Sequence, residues 1–340
     1  MQDAFDAAQA YTGGRAPLPF SLPDAVTVQE VGPRDGLQLE GTPIATQEKI
    51  DLVDALSATG VPRIQVTSFV RPQAVPQLAD GPEVMQGIKQ EPGVEYSVLV
   101  PNLKGAERAL DLGATCWETM LSTTDAHSLA NANRTTGEAF DRLVPVLELA
   151  QDNPSVRVVG GLATALGCPF DGRPSYGRVA SVVGRYVEHG VRHVTIADTA
   201  GLADPASVHD ISRRLRADFP DLRITLHLHN TRGLGMANVM AGLAAGVTDF
   251  DSSVGGLGGC PFAPGATGNI ATEELVHLLH LLGIHTGVDL DALIDITRHR
   301  VSRLVDHPVE SSFHRADPAW RLFDPPTRQE LPNATRGNLR

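Results

Sequence analysis

Aromatic residues make up only 5% of this chain, with two tryptophans and four tyrosines. A folded core must therefore be filled by Val, Leu, Ile and Ala. Cysteine is scarcer still: Cys116, Cys168 and Cys260 are the whole complement in 340 residues, and no CxxC pair occurs. Three scattered thiols exclude a disulfide framework, and the default for each is a small buried apolar side chain. Positive charge is in short supply, 28 Lys and Arg against 40 Asp and Glu, for a net charge of −12. That argues against a nucleic-acid or anionic-membrane binder, which needs clustered basic residues. It leaves room for a small anionic ligand at a locally positive site. No apolar run approaches the roughly 18 residues of a membrane span. The opening MQDAFDAAQAYTGG lacks the basic and apolar regions of a signal peptide. The expectation is a cytoplasmic protein.

What is present is a folding composition, 42% hydrophobic and 20% charged, punctuated by 33 glycines and 24 prolines. Short β-branched runs stand at 26–31, 64–70, 94–100, 115–121, 156–164, 191–197, 222–229 and 247–254. Between most of them apolar residues recur at about 3.6 spacing, over 47–60, 104–113, 137–151, 175–190, 205–219 and 234–246. Helix and strand in alternation predict a parallel sheet with helices outside. Eight strands predict an α/β fold closed as a (β/α)8 TIM barrel. No GxGxxG or GxxxxGK[ST] loop follows the first strand, against a dinucleotide fold or a P-loop. The barrel is expected over 25–305, completed by C-terminal helices from 272. Residues 1–24 read as an N-terminal extension and 306–340 as a tail.

Such barrels carry their sites at the C-terminal ends of the strands. Here the first strand runs into Gly32-Pro33-Arg34-Asp35-Gly36, and the second carries Gln65 and Ser68. The sixth ends in Asp198-Thr199 and the seventh in His227-Leu228-His229-Asn230. Period two puts His227 and His229 on one face, a geometry for two imidazoles on one metal. Asp35 could add an oxygen and Asn269 another. Two nitrogens plus oxygens suit a divalent ion, Mg²⁺, Mn²⁺ or Co²⁺, with Zn²⁺ a further option. Arg34, always charged, can stabilise a developing alkoxide or enolate. After the eighth strand comes the glycine-rich 255–268 stretch with Cys260 in its middle. Such a loop permits close backbone approach and closure over a ligand, and an accessible thiol there can pass a proton.

At these residues the chain stops being generic. VGPRDGLQ (31–38), TSFVRPQAVPQLAD (67–80), ALGCPFDG (165–172), DTAGLADP (198–205), HLHNTRGLGMAN (227–238) and SSVGGLGGCPFAPGATGNIATEEL (252–275) resemble the hydroxymethylglutaryl-CoA lyase family. The similarity runs from about 26 to 300 in the same order. The resemblance implies a metal held by Asp35, His227, His229 and Asn269, and Arg34 beside the substrate oxygens. Arg34, Gln38, Gln65, Ser68, Thr195, Gly258 and Gly259 are the expected substrate-binding positions. Asp198 and Asn230 are expected to support the ligands. Arg34, Asp35, His227 and Cys260 would do the chemistry, Cys260 as a mobile-loop residue assisting proton transfer. The implied reaction is a retro-aldol cleavage of a 3-hydroxyacyl-CoA thioester. A homodimer is implied as well.

Three departures concern the substrate. Gln65 stands where the family has glutamate, removing a charge near the metal. Asn230 follows His229 where the family often has aspartate. Leu39-Glu40-Gly41 replaces an Asn-Glu-Lys that greets the acyl-CoA. The expectation is therefore a divergent lyase for hydroxymethylglutaryl-CoA or a related 3-hydroxy-3-alkyl or citramalyl-type thioester. Two alternatives stand beside it: an aldolase or Claisen-type synthase joining acetyl-CoA to a 2-oxo acid, and an inactive metal-binding homologue.

Overall fold

The β-branched runs close on themselves. In the computed structural model, which describes residues 2–259 and 268–322, eight parallel strands form a closed barrel in the order β1 to β8. They are β1 Thr27–Glu30, β2 Arg63–Ser68, β3 Glu95–Leu99, β4 Cys116–Ser122, β5 Arg157–Ala163, β6 His193–Ala197, β7 Arg223–His227 and β8 Asp249–Ser252. Each overlaps one of the runs expected from sequence. The helices, after an N-terminal α1 (Gln2–Thr12), are α2 (Thr46–Ala58), α3 (Gly81–Gly87), α4 (Leu103–Asp111), α5 (Asp125–Ala132) and α6 (Thr136–Gln151). There follow α7 (Tyr176–Glu188), α8 (Pro205–Asp218), α9 (Gly235–Ala244), α10 (Thr272–Leu281) and α11 (Leu290–Ile296). Starts are set by local chemistry. Asn102, Thr135, Ser175 and Asp204 each accept a backbone N–H of the turn they cap.

Strand side chains alternate between two environments. Outward residues such as Trp117, Leu121, Val194 and Leu226 pack beneath the helices and are fully or nearly fully buried. The inward face is polar. Toward the N-terminal end Arg63 and Arg157 share Glu95, and Arg223 donates to Asp249. His193 meets Thr225 Oγ1 there at 2.8 Å. Burial and three nearby guanidinium groups push its pKa down to about 2, so it is neutral. This ionic cluster lies at the floor, opposite the end that carries the candidate site.

The described parts of the two flanking segments pack on the helices, and residues 323–340 of the expected tail lie outside the described residues. Phe5 of α1 stacks on His285 at 4.1 Å between ring centroids, and Gln9 donates to the His280 carbonyl. The amphipathic 2–12 stretch thus covers α10. On the other side Phe313 is buried and Trp320 stacks on His277. The helical stretch expected from 272 to 305 is broken at 282–289, where Gly283 and Gly287 take positive φ.

Candidate active site

The site begins where β1 stops. After Val31 the chain enters a wide π-type turn, Gly32–Gly36, in which the Asp35 N–H donates to the Val31 carbonyl at 2.7 Å. Such turns recur at functional sites. Glu30 fastens this one. Its buried carboxylate accepts the Gly32 and Val254 N–H groups and the Thr272 hydroxyl, tying the β1 turn to the segment after β8. Burial outweighs those hydrogen bonds and raises its pKa to about 7.

The turn aims Arg34 and Asp35 into the barrel mouth, and both are buried. The Arg34 guanidinium donates through Nε to Gln65 Oε1 and through Nη1 to Asp35 Oδ1. Gln38 Nε2 donates to the same Oδ1 at 3.0 Å. Asn269 Nδ2 donates to Asp35 Oδ2 at 2.9 Å and to the Leu257 carbonyl at 3.0 Å. Burial alone would raise the Asp35 pKa. The Arg34 charge and the two imidazoles outweigh it and hold it at about 2.

His227 closes β7, and His229 lies just past it in a bridge to Asn269 that brings the two together. The Nε2 atoms of His227 and His229 face each other at 3.2 Å, and His227 Nε2 is 3.8 Å from Asp35 Oδ2. Among the described residues, Asp35, His227 and His229 form the group whose donor atoms could share a metal ion. Burial, then the His227 charge, push His229 down to about 3. For His227 burial works downward, but the Asp251 hydrogen bond and the Asp35 charge raise its pKa overall.

Two features test whether a cation fits. Asn269 Oδ1 is buried with no hydrogen-bond partner, while its Nδ2 makes two bonds. Two imidazole nitrogens point at one another beside a carboxylate. An orphaned amide oxygen, two ring nitrogens and one carboxylate oxygen are a donor set for a divalent ion. An ionised Asp35 and a neutral His229 are the forms that bind one.

The other expected residues divide. Gln65 is buried and acts as the neutral partner of Arg34. Asp198 Oδ1 accepts the Leu202 and Ala203 N–H groups, bracing the loop after β6, while its buried Oδ2 has no partner. Burial raises its pKa to about 6. Asn230 Oδ1 accepts the Gly235 N–H and holds the start of α9. Ser68 is buried and accepts the Val70 N–H, a turn role. Thr195 lies in the barrel wall, registered between Gly161 and Thr225. Gly258, at φ +118°, passes so close that an added Cβ would stand 2.6 Å from Asn269 Nδ2. Gly259 is half-buried. Cys260 lies outside the described residues.

One residue escaped the sequence reading. Asp251 on β8 is the register partner of His227, and its Oδ2 meets His227 Nδ1 at 3.2 Å. The signal was the alternation in 249-DFDS-252, which puts Asp249 and Asp251 on one face. Strand adjacency was needed to see what that face met.

Comparison with known proteins agrees with this geometry. The HMGL-like family model matches residues 25–299. A Pseudomonas aeruginosa 3-hydroxy-3-isohexenylglutaryl-CoA/hydroxymethylglutaryl-CoA lyase is 45% identical over 276 residues, covering 81% of this chain and 92% of that one. The human mitochondrial hydroxymethylglutaryl-CoA lyase is 42% identical over 275 residues, 81% of this chain and 84% of the relative. Among solved structures, an Acinetobacter baumannii HMG-CoA lyase in complex with coenzyme A and 3-methylmalate has a TM-score of 0.85 at 43% identity. The match covers 89% of this chain and 98% of that one. The barrel, the cluster at its mouth and these matches together show that the chain belongs to the HMGL-like family.

Proposed function

We propose that the protein is a carbon–carbon lyase that cleaves a 3-hydroxy-3-methylglutaryl-CoA-type thioester to acetyl-CoA and a 3-oxo acid. The observation that carries this reading is the convergence of Asp35, His227, His229 and Asn269 beside one cationic side chain, Arg34, in a family of such lyases. Mg²⁺ or Mn²⁺ would be held by those four residues and would supply Lewis-acid polarisation of the substrate hydroxyl and carbonyl.

The chain's own groups account for the rest. Arg34, oriented by Gln65 and Asp35, donates to the C3 oxygen as it passes from hydroxyl to ketone. His227 has its Nδ1 committed to Asp251 and its Nε2 directed at the metal position. Asp35 or His227, the ionisable groups beside that position, takes the hydroxyl proton. The electron pair of the O–H bond forms the ketone and the C2–C3 bond breaks. The enolate of acetyl-CoA then takes a proton at C2. Cys260 is the proposed donor; it follows Gly258 and Gly259 in sequence, and Gly258 borders Asp35 and Asn269. The CoA moiety enters over the mouth, where Gly41 is open to solvent with nothing packed against it. A cytoplasmic homodimer completes the proposal. Among the described residues no helix is long and apolar enough to cross a membrane.

The test is a coupled assay of 3-hydroxy-3-methylglutaryl-CoA cleavage after chelation and reloading with Mg²⁺ or Mn²⁺. Metal-dependent release of acetyl-CoA and acetoacetate is expected. Absence of cleavage of any 3-hydroxyacyl thioester by the reloaded protein would overturn the reading, as would net condensation of acetyl-CoA with 2-oxo acids.

A further inference from the structure

Beyond residue 299, where the family match ends, the chain crosses the two loops that build the site. It first meets the loop after β1. Thr42 Oγ1 donates to Asp306 Oδ2 at 2.7 Å, and His307 Nε2 lies 3.1 Å from Glu40 Oε1. It then meets the segment after β8. The Ser311 N–H donates to the Gly255 carbonyl at 3.3 Å. The Ser311 hydroxyl joins the Gly255 N–H and the Thr297 hydroxyl on the buried carboxylate of Glu273. Val309 packs on Gly255 so closely that an added Cβ would stand 2.9 Å from its Cγ1. Gly255 leads into Leu257, whose carbonyl accepts from Asn269 Nδ2, and into Gly258, which borders Asp35. Glu310 and Ser311 also share a small cavity with Asn269.

The far end of this segment is latched on α10. Phe313 meets the His277 ring edge-on, Trp320 stacks on the same ring, and each centroid lies 5.0 Å from it. The Ala319 N–H donates to His277 Nε2 at 3.2 Å. A ring nitrogen accepts only while it carries no proton, so this latch needs a neutral His277. Burial lowers its pKa, the direction that favours the neutral ring. The charged and titratable groups around it have other partners. His280 on the same helix is itself pushed down to about 4, by burial first and then by His277 and His285. Glu274 accepts the Ser312 N–H. Asp317 pairs with Arg298 and Arg321. Among the described residues no carboxylate pairs with the His277 ring.

We propose that residues 306–321 form a strap that positions the segment after β8 for ligation and turnover, with His277 as its acid-sensitive latch. Protonation of Nε2 breaks the Ala319 bond and frees the strap from its C-terminal end. Ser311 and Val309 then hold Gly255 less firmly, and the Leu257 carbonyl and Gly258 loosen against Asn269. His277 is a positioning residue, acting through the strap. Its folded pKa lies below the ordinary histidine value, so docking is complete above about pH 6.5 and weakens as pH falls. Each pH unit below that weakens docking by up to about tenfold, until the folded pKa is reached. Acid does not release the other end. The Pro308 carbonyl bond and the Glu40 carboxylate raise the His307 pKa, which favours its charged form.

The experiment follows the metal-loaded full chain from pH 7.5 to pH 5.5 in the wild type, His277→Phe and Trp320→Ala. It reads tryptophan emission, hydrogen exchange over 309–321 and kcat. The other tryptophan, Trp117, is fully buried in the barrel, so an emission shift reports Trp320. The wild type is expected to red-shift, lose exchange protection and fall in kcat together as pH drops. Phe keeps a flat ring against Trp320 and Phe313 but cannot take a charge. That variant is expected to hold its protection across the range and to keep a larger fraction of its pH 7.5 kcat at pH 5.5. Trp320→Ala is expected to lower kcat at pH 7.5 toward the acid value of the wild type. Flat wild-type emission and exchange, the same acid loss of protection in His277→Phe, or an unchanged kcat in Trp320→Ala overturns the inference. The wild-type scan and Trp320→Ala decide it if the Phe variant folds poorly. Only the kinetic arm rests on the lyase reading. Cleavage of no thioester at pH 7.5 overturns that reading instead, and Mn²⁺ affinity of the wild type and Trp320→Ala then takes the place of kcat.

Discussion

His227 and Asp251 sit opposite one another on β7 and β8, and the Asp251 carboxylate takes the His227 Nδ1 at 3.2 Å. This fixes which ring nitrogen carries the proton and leaves Nε2 facing His229 and Asp35. A carboxylate behind an imidazole also makes it a better ligand. Replacing Asp251 with Ala should weaken metal binding by roughly 10–100-fold, as loss of such outer partners does. Isothermal titration of the chelated protein with Mn²⁺ checks it. Unchanged affinity would show that Asp251 serves the barrel interior only.

Arg34 should not tolerate lysine. Its planar fork reaches Gln65 and Asp35 at once, whereas an ammonium on a flexible stem cannot hold both. Arg34→Lys should lower kcat by about 10²–10³, the scale for losing one oriented donor to a developing oxyanion. Steady-state kinetics decide it, with thermal unfolding as the folding control.

Gly258→Ala should damage both ligation and turnover. The new Cβ would meet Asn269 Nδ2 at 2.6 Å, in a backbone conformation at φ +118° that Ala rarely adopts. Weaker Mn²⁺ affinity together with lower kcat is the expected pair of readouts.

Glu30 makes stability depend on pH in an unusual direction. Its folded pKa is raised from 4.5 to about 7, so the folded state holds this proton when the unfolded state has lost it. Its contribution is greatest below pH 4.5 and declines as pH rises toward 7, by up to about 3 kcal/mol. Glu30→Gln should flatten that decline. Urea unfolding of both proteins at pH 5 and pH 7.5 compares the slopes.

Chelation should destabilise the protein as well as silence it. A metal that binds only the folded state adds about 2.7 kcal/mol at a hundred times its dissociation constant. Removal should lower the melting temperature of the wild type. It should do little to Asn269→Ala, which lacks the orphaned oxygen.

Sequence alone determined the alternation of strand and helix, and hence the barrel, because burial writes periods of two and 3.6 directly into the order of residues. It also determined the pairing of His227 with His229 and the candidacy of Arg34 and Asp35, since strand ends and motif chemistry are local. Tertiary structure decided what depends on neighbours distant in the chain. Asp251 meets His227 only because β7 and β8 are adjacent in register. Glu30 ties the β1 turn to Val254 and Thr272, more than 220 positions away. The α1 helix, too, reads as an acidic extension until α10 supplies the surface it covers. Candidate ligands followed from local residue type, but proton placement and bracing are properties of contact, and contact exists only once the barrel has closed.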